Sequence, residues 1–94
     1  IYSAYLGVAE GARNRAVEIA KKRPADPFLA QLVGEMENRL LAARLAHRRM
    51  VEIAETATPG PETTSEAMQC RTLVGQAAID TVAKAMEVAG GAAF

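Results

Sequence analysis

The placement of proline limits this chain more sharply than any motif does. All four prolines sit in two short clusters, Pro24 to Pro27 and Pro59 to Pro61, and a Gly90-Gly91 pair stands near the end. Proline lacks the N–H an interior helical turn needs, and glycine releases the backbone where a helix stops. The three stretches between these points have helix-forming composition, and none alternates apolar and polar residues as a strand does. Three helices are therefore expected.

The first spans about Tyr2 to Arg23, with Tyr5, Ala9, Ala12, Ala16 and Ile19 at three- and four-residue steps and Lys21, Lys22 and Arg23 where cations favour a helix C-terminus. Asp26-Pro27 opens the second: the carboxylate caps it, and the missing N–H of Pro27 is harmless at the first helical position. Its apolar stripe is Leu29, Val33, Met36, Leu40, Ala43, His47, Met50 and Ala54, with charged residues on the other faces. Thr56 to Thr64 is a loop by composition. Thr63 and Glu66 have the form of a capping box opening the third helix, with Pro61 as the alternative start. Cys70, Val74, Ala78, Val82, Ala85 and Ala89 give that helix an apolar side, and Gly90 occupies the position of a left-handed cap.

Short connections between amphipathic helices favour an all-α, up-down bundle. The third helix has apolar residues spread around its axis, including Leu73, Val74, Ile79, Val82 and Met86, more than two partner helices cover. A fourth helix is expected, from beyond Phe94 or from another subunit, and the chain by itself should associate or stay partly molten. Length points the same way: 94 residues form one domain, here a partial one, burying roughly 60–70% of its unfolded surface. The start at Ile1 without a Met and the stop just past Gly-Gly read as cuts from something longer.

Half of the residues are hydrophobic but only 4% aromatic, so the apolar surface is built from small side chains that let helices approach closely. Eleven basic and eleven acidic residues cancel, which leaves no field to attract nucleic acid or an anionic membrane. No run nears the ~20 apolar residues of a membrane span, and the first residues are not ordered as a secretory signal. The single cysteine, Cys70, fits a reducing compartment, and the expected location is cytoplasmic.

Few residues here suggest chemistry on their own. His47, the only histidine, lies on the apolar stripe without a second metal ligand one turn away, and is expected to be packed or at an interface. Cys70 has no nearby base to activate it and is expected to behave as a small hydrophobe. Glu35 and Glu37, two apart, fall on different helix faces and are expected to be solvated; Glu10 is placed at a helix rim, and the methionines in the core. A cap accounts for Gly90 but leaves Gly91 open, and a cofactor phosphate or adenine lying against bare backbone is one reason for a second glycine.

Three segments in order carry a resemblance: Tyr5-Leu6-Gly7-Val8-Ala9-Glu10-Gly11-Ala12, then Val33-Gly34-Glu35-Met36 through Leu41-Ala42-Ala43-Arg44, then Ala85-Met86-Glu87-Val88-Ala89-Gly90-Gly91. Together they resemble the C-terminal helical domain of the acyl-CoA dehydrogenases over essentially the whole chain. The resemblance implies a four-helix bundle behind two further domains, with FAD at the junction and assembly into homodimers or homotetramers through these helices. It implies an oxidoreductase that removes hydrogens from the α and β carbons of an acyl-CoA substrate, the hard chemistry residing in the flavin.

Carried over position by position, Arg23 matches the residue that reaches the FAD of a neighbouring subunit, where a guanidinium suits a pyrophosphate. Gly90 and Gly91 match the pair that lets the adenosine half approach, and Glu87 stands where commoner members have a glutamine. The first loop, Arg23-Pro24-Ala25-Asp26-Pro27, lacks the Arg-x-Phe-Gly run of the dehydrogenases and resembles the branch containing flavin-dependent monooxygenases. The usual catalytic glutamate would lie beyond Phe94, so no catalytic residue is named. A helical interaction module without cofactor is the alternative from a different class.

Overall fold

The computed structural model describes residues 2–23, 26–56 and 58–93. Three α-helices account for nearly all of them: α1 (Tyr2–Lys21), α2 (Pro27–Thr56) and α3 (Pro61–Ala93). They form an all-helical up-down bundle measuring 52 × 20 × 16 Å, about one long helix in length. Cross-helix pairs fix the directions. Ser3, Glu10 and Arg13 of α1 meet His47, Arg44 and Glu37 of α2, while Glu35 and Arg49 of α2 meet Lys84 and Glu66 of α3. Both neighbouring pairs are antiparallel, so α1 and α3 run parallel.

Local chemistry explains most of the boundaries. Asp26 Oδ1 accepts hydrogen bonds from the Phe28 N–H at 3.0 Å and the Leu29 N–H at 3.5 Å, the N-cap expected from sequence. After Lys21 the N–H groups of Lys22 and Arg23 donate to the carbonyls of Ile19 and Ala20, tightening the last turn, so Arg23 follows the helix rather than ending it. The stop at Pro24 lies outside the described residues. The third helix starts at Pro61, and the capping box is not formed. The Thr63 hydroxyl donates back to the Thr58 carbonyl at 2.9 Å, while Glu66 is taken by Arg49 of α2.

The core lies along the bundle axis in two clusters. Ala16, Leu29, Leu32, Met36, Ala85 and Val88 join the end of α1, the start of α2 and the end of α3. Ala9, Leu40 and Ala78 form the second cluster nearer the middle. The stripe expected on α2 holds at Leu29, Met36, Leu40 and Ala43, but Leu32 and Ile53 are buried in place of Val33 and Ala54. Thr81, fully buried on α3, satisfies its hydroxyl by donating to the Ala77 carbonyl at 2.7 Å.

The three edges of the bundle differ in character. The α1–α2 and α2–α3 edges are laced by the polar pairs named above, whereas α1 and α3 meet along an open apolar groove of about 560 Å³ lined by Tyr5, Val8, Gly75, Ala78, Ile79 and Val82. Tyr5, assigned to the buried stripe by its spacing, is half exposed there. Along α3, Met68, Thr72, Gly75, Ile79, Val82 and Met86 recur at alternating four- and three-residue steps, the spacing of a seam against another helix. Ile79 is 64% and Met86 69% exposed. The over-wide apolar face expected from sequence is therefore present.

Candidate functional site

Because α1 and α3 are parallel, their C-terminal ends lie at one end of the bundle. The cluster containing Ala16, Ala85 and Val88 fixes that register, carrying Arg23 and the Gly90-Gly91 segment to the same end. Arg23 is half-buried at its position just after α1. Glu87 is exposed on the last turns of α3. Residues far apart in sequence thus lie toward one end of the bundle.

Gly90 is not the cap that its position suggests. α3 continues through it to Ala93, and no described glycine has a positive φ. Gly91 lies within the same helix. Nothing in the backbone or the packing demands a glycine at position 90, because a Cβ built there meets no atom within 4 Å. A helical glycine costs about 1 kcal/mol relative to alanine, so this position carries a helix penalty with no compensation among the described residues. What the bare backbone offers is close approach for something outside it.

Glu87 is tied to its surroundings through Lys84. The Lys84 Nζ lies 2.7 Å from Glu35 Oε2 across the α2–α3 edge and 3.2 Å from Glu87 Oε2 one turn along its own helix. Hydrogen bonding to Glu35, then to Glu87, holds the lysine pKa above its ordinary value, and the same lysine bond lowers that of Glu35. Glu35 is therefore paired across two helices rather than simply solvated. So is Glu37, whose two oxygens accept from Arg13 at 2.6 and 2.8 Å, holding its carboxyl below the usual range. These pairs were missed in the sequence because only the rotation of one helix against another brings their members together.

Elsewhere the expectations and the structure agree more closely. His47 is half-buried, and its Nε2 shares a 2.8 Å hydrogen bond with the Ser3 hydroxyl. It lines a mixed cleft with Leu6, Arg44, Arg48, Val51, Glu52 and Glu55, in which acids and bases are interspersed. Cys70 is buried with the small hydrophobes, and Glu10 sits at the rim, 3.0 Å from Arg44. The methionines depart from the expected core placement: Met36 is buried there, but Met68 and Met86 are exposed. Among the described residues no three His, Cys, Asp or Glu side chains converge as a metal site would require, and no helix is long and apolar enough to cross a membrane.

Comparison with known proteins adds what geometry cannot. The profile of the acyl-CoA dehydrogenase C-terminal domain matches residues 1–94. YdbM of Bacillus subtilis (strain 168), an acyl-CoA dehydrogenase by name, is 34% identical over 95 residues, an alignment covering 92% of this chain and 25% of that protein. The chain thus spans about a quarter of that relative's length. No solved structure gives a significant match. With an all-helical bundle of the expected helix order, these matches establish that the chain belongs to the acyl-CoA dehydrogenase family, as its C-terminal helical domain.

Proposed function

We propose that this chain is the FAD-contacting and oligomerising part of a flavin-dependent oxidoreductase that dehydrogenates an acyl-CoA between its α and β carbons. The observation that carries the proposal is the collection of Arg23, Glu87, Gly90 and Gly91 at one end of the bundle. The chemistry of that set suits the adenosine diphosphate half of FAD. A guanidinium pairs with phosphate oxygens, a carboxylate accepts from hydroxyl or amine donors, and an uncovered helical backbone admits a flat ring. FAD, when bound, supplies the hydride acceptor of the reaction. This chain's contribution is to hold and orient the cofactor, not to move the substrate proton.

The open α1–α3 groove supports the oligomerising half of the proposal, completed in the larger protein by a fourth helix of the same or a neighbouring subunit as a homodimer or homotetramer. A cytoplasmic location is consistent with a lone buried Cys70. The experiment uses the full-length protein. Flavin absorbance in the purified material and FAD titration test the cofactor, and bleaching of that absorbance by an acyl-CoA under anaerobic conditions tests the reaction. Absence of flavin together with no FAD binding would leave a helical interaction module as the function. A second reading within the family is a flavin-dependent monooxygenase, favoured by the Arg23-Pro24-Ala25-Asp26-Pro27 loop. Flavin reduced by an external donor and reoxidised with oxygen insertion, without acyl-CoA bleaching, would establish that branch.

A further inference from the structure

We infer that Lys84 is a positioning residue for the cofactor contact at Glu87: it pins one oxygen of that carboxylate and leaves the other to act as an acceptor. This rests on the cofactor reading above. The difficulty it addresses is chemical. A glutamine at position 87 both accepts and donates hydrogen bonds through its amide, whereas an ionised glutamate only accepts. An acid alone would leave an acceptor on the ligand unmatched and would bring uncompensated negative charge toward a diphosphate.

Lys84 answers the first part and lessens the second, its one positive charge being shared between Glu35 and Glu87. Its ammonium has three N–H groups. Two are engaged, by Glu35 Oε2 at 2.7 Å and Glu87 Oε2 at 3.2 Å. The third remains to donate. Glu87 uses Oε2 in the pair, which leaves Oε1 as its second acceptor. Lysine and glutamate together therefore present one donor and one acceptor, the capacity of an amide divided between two side chains.

The lysine is also held more firmly than an ordinary pair within a single helix. Its side chain is 28% exposed, against 41% for Glu35 and 52% for Glu87, and the shorter of its two contacts comes from another helix. Spacing places the group correctly, since residues 84, 87 and 91 follow one another at i, i+3 and i+7 on one face of α3, the face that carries Gly91. The donors that such a carboxylate takes are the ribose hydroxyls or the exocyclic amine of the adenosine half, and the lysine serves a neighbouring acceptor oxygen.

The test measures FAD dissociation constants by flavin fluorescence in full-length protein for wild type, Lys84→Met, Glu87→Gln and the double variant, with apo-protein melting as the check on folding. Lys84→Met is expected to weaken FAD binding on the order of tenfold, while Glu87→Gln stays within about threefold of wild type. The double variant should match Glu87→Gln, because an amide needs no ammonium partner. That rescue is the signature of positioning, as a lysine that only supports the fold loses the same affinity in either background. An equal loss in both backgrounds, or FAD binding unchanged by Lys84→Met, overturns the assignment of Lys84 and leaves the cofactor reading standing. A wild type that binds no FAD overturns both.

Discussion

Gly75 gives the sharpest test of the open groove, because its replacement should change sign with context. It lies in the interior of α3 among the groove-lining residues, and a Cβ built on it meets nothing within 4 Å. In the 94-residue chain, Gly75→Ala adds a methyl to open space and removes the backbone freedom of a mid-helix glycine, a gain of about 0.5–1 kcal/mol. For a domain of this size that corresponds to a rise of roughly 2–8 °C in melting temperature. Urea unfolding followed by far-UV circular dichroism reads the gain directly, over a dilution series that exposes any masking by self-association. In the full-length protein, a helix seated in the groove would meet the same methyl, and overpacking of that kind costs about 1–3 kcal/mol. The expected result is stabilisation in the short chain and loss in the long one. Equal stabilisation in both would refute the idea that the groove is covered, and destabilisation of the dilute short chain would refute the geometry of the groove itself.

Further expectations concern the core and its polar edges. Met36, fully buried in the cluster shared by all three helices, should cost about 2–5 kcal/mol when replaced by Ala, measured as a fall in the urea midpoint. Glu37 is held by Arg13 below its ordinary value of 4.5, so its stabilising contribution is complete above that pH and is lost as pH falls through the lowered value. Stability measured from neutral to acid pH should fall less steeply in Arg13→Met than in the unsubstituted chain, and parallel profiles would show that the pair contributes nothing. The effect will be reduced by solvent, since the Glu37 side chain is 41% exposed.

What could be foreseen from the sequence was mostly local. Asp26 caps α2 as expected because an N-cap needs only the residues beside it, and the division into three helices follows from proline chemistry in the same way. Where neighbours had to decide, the sequence was ambiguous. Val33 and Leu32, or Ala54 and Ile53, are apolar alternatives one residue apart, and the roll of α2 against its partners selects the second of each. Gly90 was assigned to a cap because glycine so often ends helices, but α3 runs through it. Lys84 could be read in advance as one turn from Glu87. Its second partner, Glu35, became visible only when α2 and α3 were set side by side. Thr81 was missed for another reason: a threonine enters a core once its hydroxyl can bond the preceding turn, which hydrophobic periodicity does not register.

The order in which the helices meet has a consequence for how the chain acquires its shape. α2 and α3 are sequence neighbours with the most extensive contact, whereas α1 touches α3 more than it touches α2, the helix it is joined to. The antiparallel pair closes over a short connection and can form early, while α1 must wait for a surface contributed from the far end of the chain. Of the three helices α1 is made first, while the surface it packs against most is complete only once α3 has been made. The polar α1–α2 edge then serves as a check on docking: α1 seated with the wrong roll would leave Arg13 and Glu10 without their partners on α2.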